Sequence, residues 1–183
     1  MPSASILILL AALISIGAPV GASAATLEKL SLDEMAQKST EIVLGRVREI
    51  RYRQRGSIIY TVAKVQVTER WKGVQSGLVE VNVPGGISGG LRQVFPGSPQ
   101  FLEGYEYVFF LWTGRTGVTQ VIGLSQGLFD LKSDSKGQAQ VYRGASTETV
   151  LDKTGKQTTD GPLQMSLDQM RTFVRNALGK AAQ

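Results

Sequence analysis

The stretch "IIYTVAKVQVTERW", residues 58–71, constrains this chain more than any other. Ile59, Thr61, Ala63, Val65 and Val67 alternate with Tyr60, Lys64, Gln66, Thr68 and Arg70, and only Val62 breaks the pattern. A period of two over this length is the mark of a half-buried strand, because successive side chains point to opposite faces of a sheet. Its neighbours share the period. "EIVLGRVREIRYR" (41–53) is rich in β-formers and holds one glycine, Gly45, which suggests a bulge. "GLVEVNV" (77–83) puts Val79, Val81 and Val83 on one face, while "YEYVFFLWT" (105–113) is apolar on both faces, as a central strand is. "GVTQVIGL", "GLFDLKS" and "GQAQVYR" supply three more short strands.

Turn-rich segments join these strands as hairpins: "RQRGS", "KGVQSG" and "KSDSKG". A short helix is expected at "LSLDEMAQKS" (30–39), where Ser31 and Glu34 have the spacing of a capping box. A second is expected at about 166–179, with Ser166 and Gln169 as its box. Leu167, Met170, Phe173, Val174 and Leu178 form its apolar stripe, and Gly179 its stop. Residues 144–162 read as a long polar loop or mobile linker. Sequential hairpins between short terminal helices predict a mainly β fold, a single OB-like small barrel over 25–183 with its core at about 41–143. A β-sandwich is the alternative. The expected core includes Val47, Ile59, Val65, Val67, Val79, Val81, Val108 and Phe110.

Upstream, Ile6 to Ile16 is apolar except for Ser15, Gly17 and Pro19 follow, and Ala22-Ser23-Ala24 has the small-x-small form of a signal-peptidase site. Residues 1–24 therefore read as a signal peptide cleaved near Ala24, with the domain exported to the periplasm or outside the cell. No later segment is apolar and long enough to span a bilayer.

Chemistry is bounded by two absences, since the chain holds no cysteine and no histidine. Zinc sites built on His or Cys, Ser-His-Asp triads and Cys-His dyads cannot form within it. No catalytic, metal or cofactor residues are assigned. The net charge is +5, and the excess is concentrated in one stretch. Arg46, Arg48, Arg51, Arg53, Arg55, Lys64, Arg70 and Lys72 face only Glu49 and Glu69 between residues 46 and 72. With Tyr60 and Trp71 interleaved and Arg92 downstream, these basic residues (Arg55 apart) are the candidate binding residues. Such a pattern suits a single-strand nucleic-acid groove, but export favours an anionic envelope polymer or lipid headgroup. A solvated surface that protects a sheet edge is the plainer reading.

The glycine-rich stretch "VNVPGGISGGLRQVFPGSPQF" (81–101) fails as a phosphate cradle. It lacks the Gly-Lys-Ser/Thr ending and runs into a strand instead of opening a helix. It reads as a surface loop over 84–104, with Val94, Phe95 and Phe101 as apolar anchors, and no nucleotide is expected. Ser133 and Lys136 have the spacing of some serine acylases, yet lie in a hairpin turn. No pair among Glu103, Glu106, Asp130 and Asp134 stands out as an acid/base couple.

"LDEMAQKSTEIVLGRV", "YTVAKVQVTERWKG", "VNVPGGISGG…VFPGSPQFLEGYEYVFFL" and "GLSQGLFDL" occur in an order that resembles a group of uncharacterised exported bacterial proteins, over about residues 41–131. That group is distantly similar to netrin-like OB domains, which include the tissue inhibitors of metalloproteinases. The resemblance implies an OB fold and an interaction role. Zinc chelation by an N-terminal cysteine does not carry over to a chain without cysteine. The first functional expectation is an exported, non-catalytic interaction module engaging an envelope or secreted protein such as a protease. The second is binding of anionic surface polymer or lipid headgroups, and the third a hydrolase built on carboxylates.

Overall fold

The computed structural model describes residues 26–180; the expected signal peptide and its cleavage site lie outside these residues. The strands are β1 (Thr26–Glu28), β2 (Glu41–Arg55), β3 (Ile58–Lys72), β4 (Leu78–Pro84), β5 (Gly86–Ser88), β6 (Leu91–Gln93) and β7 (Glu106–Thr113). They continue with β8 (Thr119–Val121), β9 (Leu128–Ser133), β10 (Ala139–Arg143), β11 (Thr149–Leu151), β12 (Gln157–Thr158) and β13 (Leu163–Ser166). The helices are α1 (Leu32–Lys38) and α2 (Leu167–Lys180).

The fold is mainly β, built on one large antiparallel sheet in the order β13-β10-β9-β7-β2-β3-β4, with β8 also paired to β7. The long β2–β3 hairpin is its backbone. Register shifts between Ile42/Val43, Leu44/Gly45 and Val47/Glu49 bend it, since each bulge adds local twist. The approach at Gly45 is close: a Cβ there would lie 2.6 Å from Val65 Cγ1 and 2.7 Å from the Gln66 carbonyl oxygen. The curl brings β4 beside β8, where Asn82 Nδ2 donates to the Thr119 carbonyl at 3.3 Å. No ladder joins these two strands, so the barrel expected from sequence is curled but its hydrogen bonding stays open.

The two faces of the sheet carry separate cores. Inside the curl lie Val43, Val47, Ala63, Val65, Val79, Val81, Val83, Phe101, Tyr107, Phe109, Leu111 and Val121. On the other face α1 and α2 cover Ile42, Leu44, Val108, Phe110, Phe129 and Val141. The two-faced apolar pattern of β7 follows directly: Tyr107, Phe109 and Leu111 point one way, Val108 and Phe110 the other. The expected core residues are buried except Val67, which is half-buried; Val108 and Phe110 lie in the helix-covered cluster, Val47, Val65, Val79 and Val81 in the inner one with Val67 packed against it, and Ile59 is buried outside both.

Both capping boxes form. Ser31 Oγ accepts from Glu34 N–H while Glu34 accepts from Ser31 N–H. Ser166 and Gln169 repeat the exchange. In α2, however, Phe173 is exposed and Ala177 is buried in its place, and the helix runs past Gly179 to Lys180. The stripe of α2 is narrower than its apolar residues suggest, because the helix contacts the sheet along one seam.

Two segments expected to be loops contain strands. Within 84–104, β5 and β6 pair as a hairpin through Gly86↔Gln93, Ile87↔Arg92 and Ser88↔Leu91. Gly89 and Gly90, at φ 55° and 78°, make the reversed turn that suits a two-residue hairpin. The arms are too short for alternation to show in sequence. Within 144–162, β11 pairs with β1 in parallel and with β12 antiparallel. That segment is therefore irregular along most of its length but anchored by a short hairpin. Asp152 builds its turn by accepting from Thr154 N–H and Lys156 N–H, and Val150 is its buried anchor.

Candidate functional site

The basic residues separate into three groups. On the face of β2–β3 opposite the inner core, the register places Arg46, Arg51, Arg53, Tyr60 and Lys64 together, with Arg48 at the bulge. Carboxylates are interleaved: Arg46 lies 3.4 Å from Glu106, Arg51 is 3.2 Å from Glu49, and Arg51 and Arg53 are each 3.5 Å from Glu80. Arg48 and Lys64 border a shallow depression with Gln66 and Leu78. These ion pairs are exposed, so each contributes little to stability.

Arg70, Trp71 and Lys72 lie at the helix-covered end. The Arg70 side chain is 3% exposed, pairs with Glu41 and donates to the Ser76 carbonyl at 2.9 Å. Trp71 Nε1 donates to Glu69, whose other bonds come from Arg171 on α2. The Arg171 guanidinium holds the Glu69 carboxyl below the usual carboxylate range. Lys72 Nζ donates to the carbonyls of Ala36 and Gln37, where the C-terminus of α1 favours a cation. Burial lowers the Lys72 pKa. Arg70 ties β3 to β2 and to the β3–β4 turn, while Trp71, through Glu69, and Lys72 link β3 to α2 and α1.

Arg92 is alone on the β5–β6 hairpin, over a cleft of about 330 Å³. The cleft floor is Ile50, Val83, Pro84 and Phe101, and its walls are Tyr52 on one side and Ile87, Arg92 and Val94 on the other. The hairpin is strapped down at its base. Ile59 N–H donates to Gln93 Oε1 at 2.7 Å, Gln93 Nε2 reaches the Ser57 carbonyl, and Thr61 Oγ1 donates to the Gly85 carbonyl at 2.7 Å. Gly86 (φ 146°) permits the approach, since a Cβ there would be 2.6 Å from the Tyr52 ring. Of the expected anchors, Phe101 is buried and Phe95 half-buried, but Val94 is 70% exposed. Its position at the mouth, beyond the last paired residue of β6, leaves it no surface to cover.

A buried polar network lies on the far side of the Pro99–Gln100 ridge. Arg143 Nη2 donates to Asp160 Oδ1 at 2.8 Å and Nη1 to the Gln126 carbonyl at 2.8 Å. Gln126 in turn accepts from Leu30 N–H and donates to the Glu28 carbonyl. Both charged side chains are about 6% exposed.

The remaining candidate carboxylates are engaged separately. Glu103 accepts from Ile50 N–H, Asp130 is near Lys132, and Asp134 accepts from Lys136 and Gln138 N–H within the turn that also holds Ser133. Among the described residues no group of three or more acidic side chains could hold a metal ion. No helix there is long and apolar enough to cross a membrane.

Sequence reasoning placed Arg92 among the binding residues but grouped it with a stretch it does not join. It missed Tyr52 and Ile87 as cleft walls. Two bulky apolar residues, Ile87 and Leu91, beside paired glycines were the available signal. No protein-family model, no curated protein and no solved structure matches the chain.

Proposed function

We propose that this protein is an exported, non-catalytic binding module that engages a protein partner through the β5–β6 hairpin and its cleft. The carrying observation is the exposure of Tyr52 (52%), Ile87 (49%) and Val94 (70%) around one concavity. Contiguous exposed apolar surface on a folded chain marks interaction sites more often than isolated side chains do. The apolar run Ile6–Ile16 before Ala22-Ser23-Ala24 supports export. The absence of histidine and cysteine supports a role without catalysis. An envelope or secreted protein such as a protease is the partner class carried forward.

Photo-crosslinkers placed singly at Ile87, Val94, Lys64 and Arg175 in the exported protein test this. Adducts from Ile87 and Val94 alone are the expected result. A second reading rests on Arg46, Arg48, Arg51, Arg53 and Lys64 sharing one face. It takes an anionic polymer or lipid headgroup as ligand. Adducts confined to Lys64, lost steeply as salt rises, would replace the first reading with the second.

A further inference from the structure

We infer that the segment this cleft takes is an extended peptide carrying an apolar side chain beside a carboxylate, with Arg92 as the carboxylate's partner. This rests on the proposed protein-binding role and adds the chemistry of the bound segment. Arg92 is the only charged side chain lining the cleft, and it has no ion-pair partner among the described residues. Arg51 and Arg53, next to Ile50 and Tyr52 in sequence, do not line the cleft and pair with Glu80 instead. Charge complementarity at the cleft therefore asks for one anion.

The register fixes where that anion must be. Ile87 and Arg92 are cross-strand partners on the hairpin, so an apolar and a cationic side chain overhang the cleft side by side. The matching segment needs an apolar group to fill the space between Ile87, Tyr52 and Phe101, and a carboxylate two residues along an extended backbone, where the side chain returns to the same face. An arginine fork donates two parallel hydrogen bonds to a carboxylate, which adds orientation to the charge. The cleft is at the small end of the roughly 300–1,000 Å³ range of ligand sites. The apolar surface also continues past the cleft lining to Leu91, 69% exposed at the end of the hairpin, which suits a polymer lying across the site.

The test uses the purified protein, ¹⁵N-labelled, and capped pentapeptides in which Leu, Val or Phe stands two residues before Asp, each paired with its Asn counterpart. Shift changes centred on Tyr52, Ile87 and Val94 are expected, with the Asp peptides binding about tenfold more tightly than the Asn peptides. Arg92→Gln should abolish that preference, and Arg92→Lys should restore part of it. Equal affinity for Asp and Asn peptides at the cleft would overturn the carboxylate inference and leave the protein-binding reading standing. Failure of every peptide to shift the cleft would overturn the inference. Adducts absent from Ile87 and Val94 in the crosslinking experiment would overturn the reading beneath it.

Discussion

Residues 84–104, rich in Gly and Pro, and 144–162, rich in Thr and Gly, both read as loops in the sequence, yet they fold to opposite ends. The second is locked. Its Asp160 is buried against Arg143, whose guanidinium also lies over the Phe129 ring and bonds the Gln126 carbonyl. Through Gln126 the network reaches Glu28 and Leu30, so β1, the turn at 122–127, β10 and the chain before β13 share one set of polar contacts. In the first segment the β5–β6 hairpin is strapped at its base and leaves Ile87, Leu91 and Arg92, with Val94 just beyond it, in solvent. Turn-forming residues therefore say little about order. What separates the segments is where their side chains find partners: inside the fold in one case, outside it in the other.

Breaking the locked segment should have the largest effect. Asp160→Ala leaves the Arg143 charge buried and unpaired, and urea unfolding should show a loss of about 3–5 kcal/mol. Replacing both partners, Arg143→Met with Asp160→Leu, should recover much of that loss. A double variant as unstable as the single one would show that the network acts through more than its charge. Gly86→Ala comes next, at roughly 1–3 kcal/mol, because it combines an unfavourable φ with a Cβ placed against Tyr52. An unchanged melting temperature would mean the hairpin base yields easily.

A smaller effect depends on pH. Bonds from Lys153, on the β11–β12 turn, and from Ser31 hold the Glu34 carboxyl down to about 2. A carboxyl depressed in the folded state favours folding at pH above its ordinary value of 4.5. That contribution fades as pH falls from there toward about 2. Lys153→Ala should flatten this slope between those limits, and an identical acid-unfolding curve would remove Lys153 from the account. The smallest change belongs to the open segment. Trimming Ile87–Arg92 to a short Gly-Ser link should cost under about 1 kcal/mol, since loop closure depends weakly on length. It should nonetheless abolish crosslinking at the cleft. Unfolding on trimming would show that the hairpin belongs to the core.

Much of the fold was legible because its signals are local. The alternation of 58–71, the two-faced apolar strand at 106–113 and both capping boxes each lie within a few residues of chain, and each forms. The basic residues were equally visible, but their grouping was not. Arg70 and Lys72 are close in sequence to Lys64, yet they serve Glu41 and the end of α1. Arg92 is distant from all of them and lines the cleft. The short strands β5, β6, β11 and β12 escaped because two or three residues cannot display a period.

By itself the sequence determined a mainly β chain, its long hairpin, its helix caps and the absence of histidine and cysteine chemistry, since these follow from residue type and near-neighbour spacing. Only the tertiary structure decided which charges are matched and which are left over. Arg143 and Asp160 meet across the fold, Arg171 reaches Glu69 from the last helix, and Arg92 remains without a counter-ion beside Ile87. The physical reason is that pairing depends on distances of a few ångströms between residues far apart in the chain, and bulges and a curled sheet set those distances.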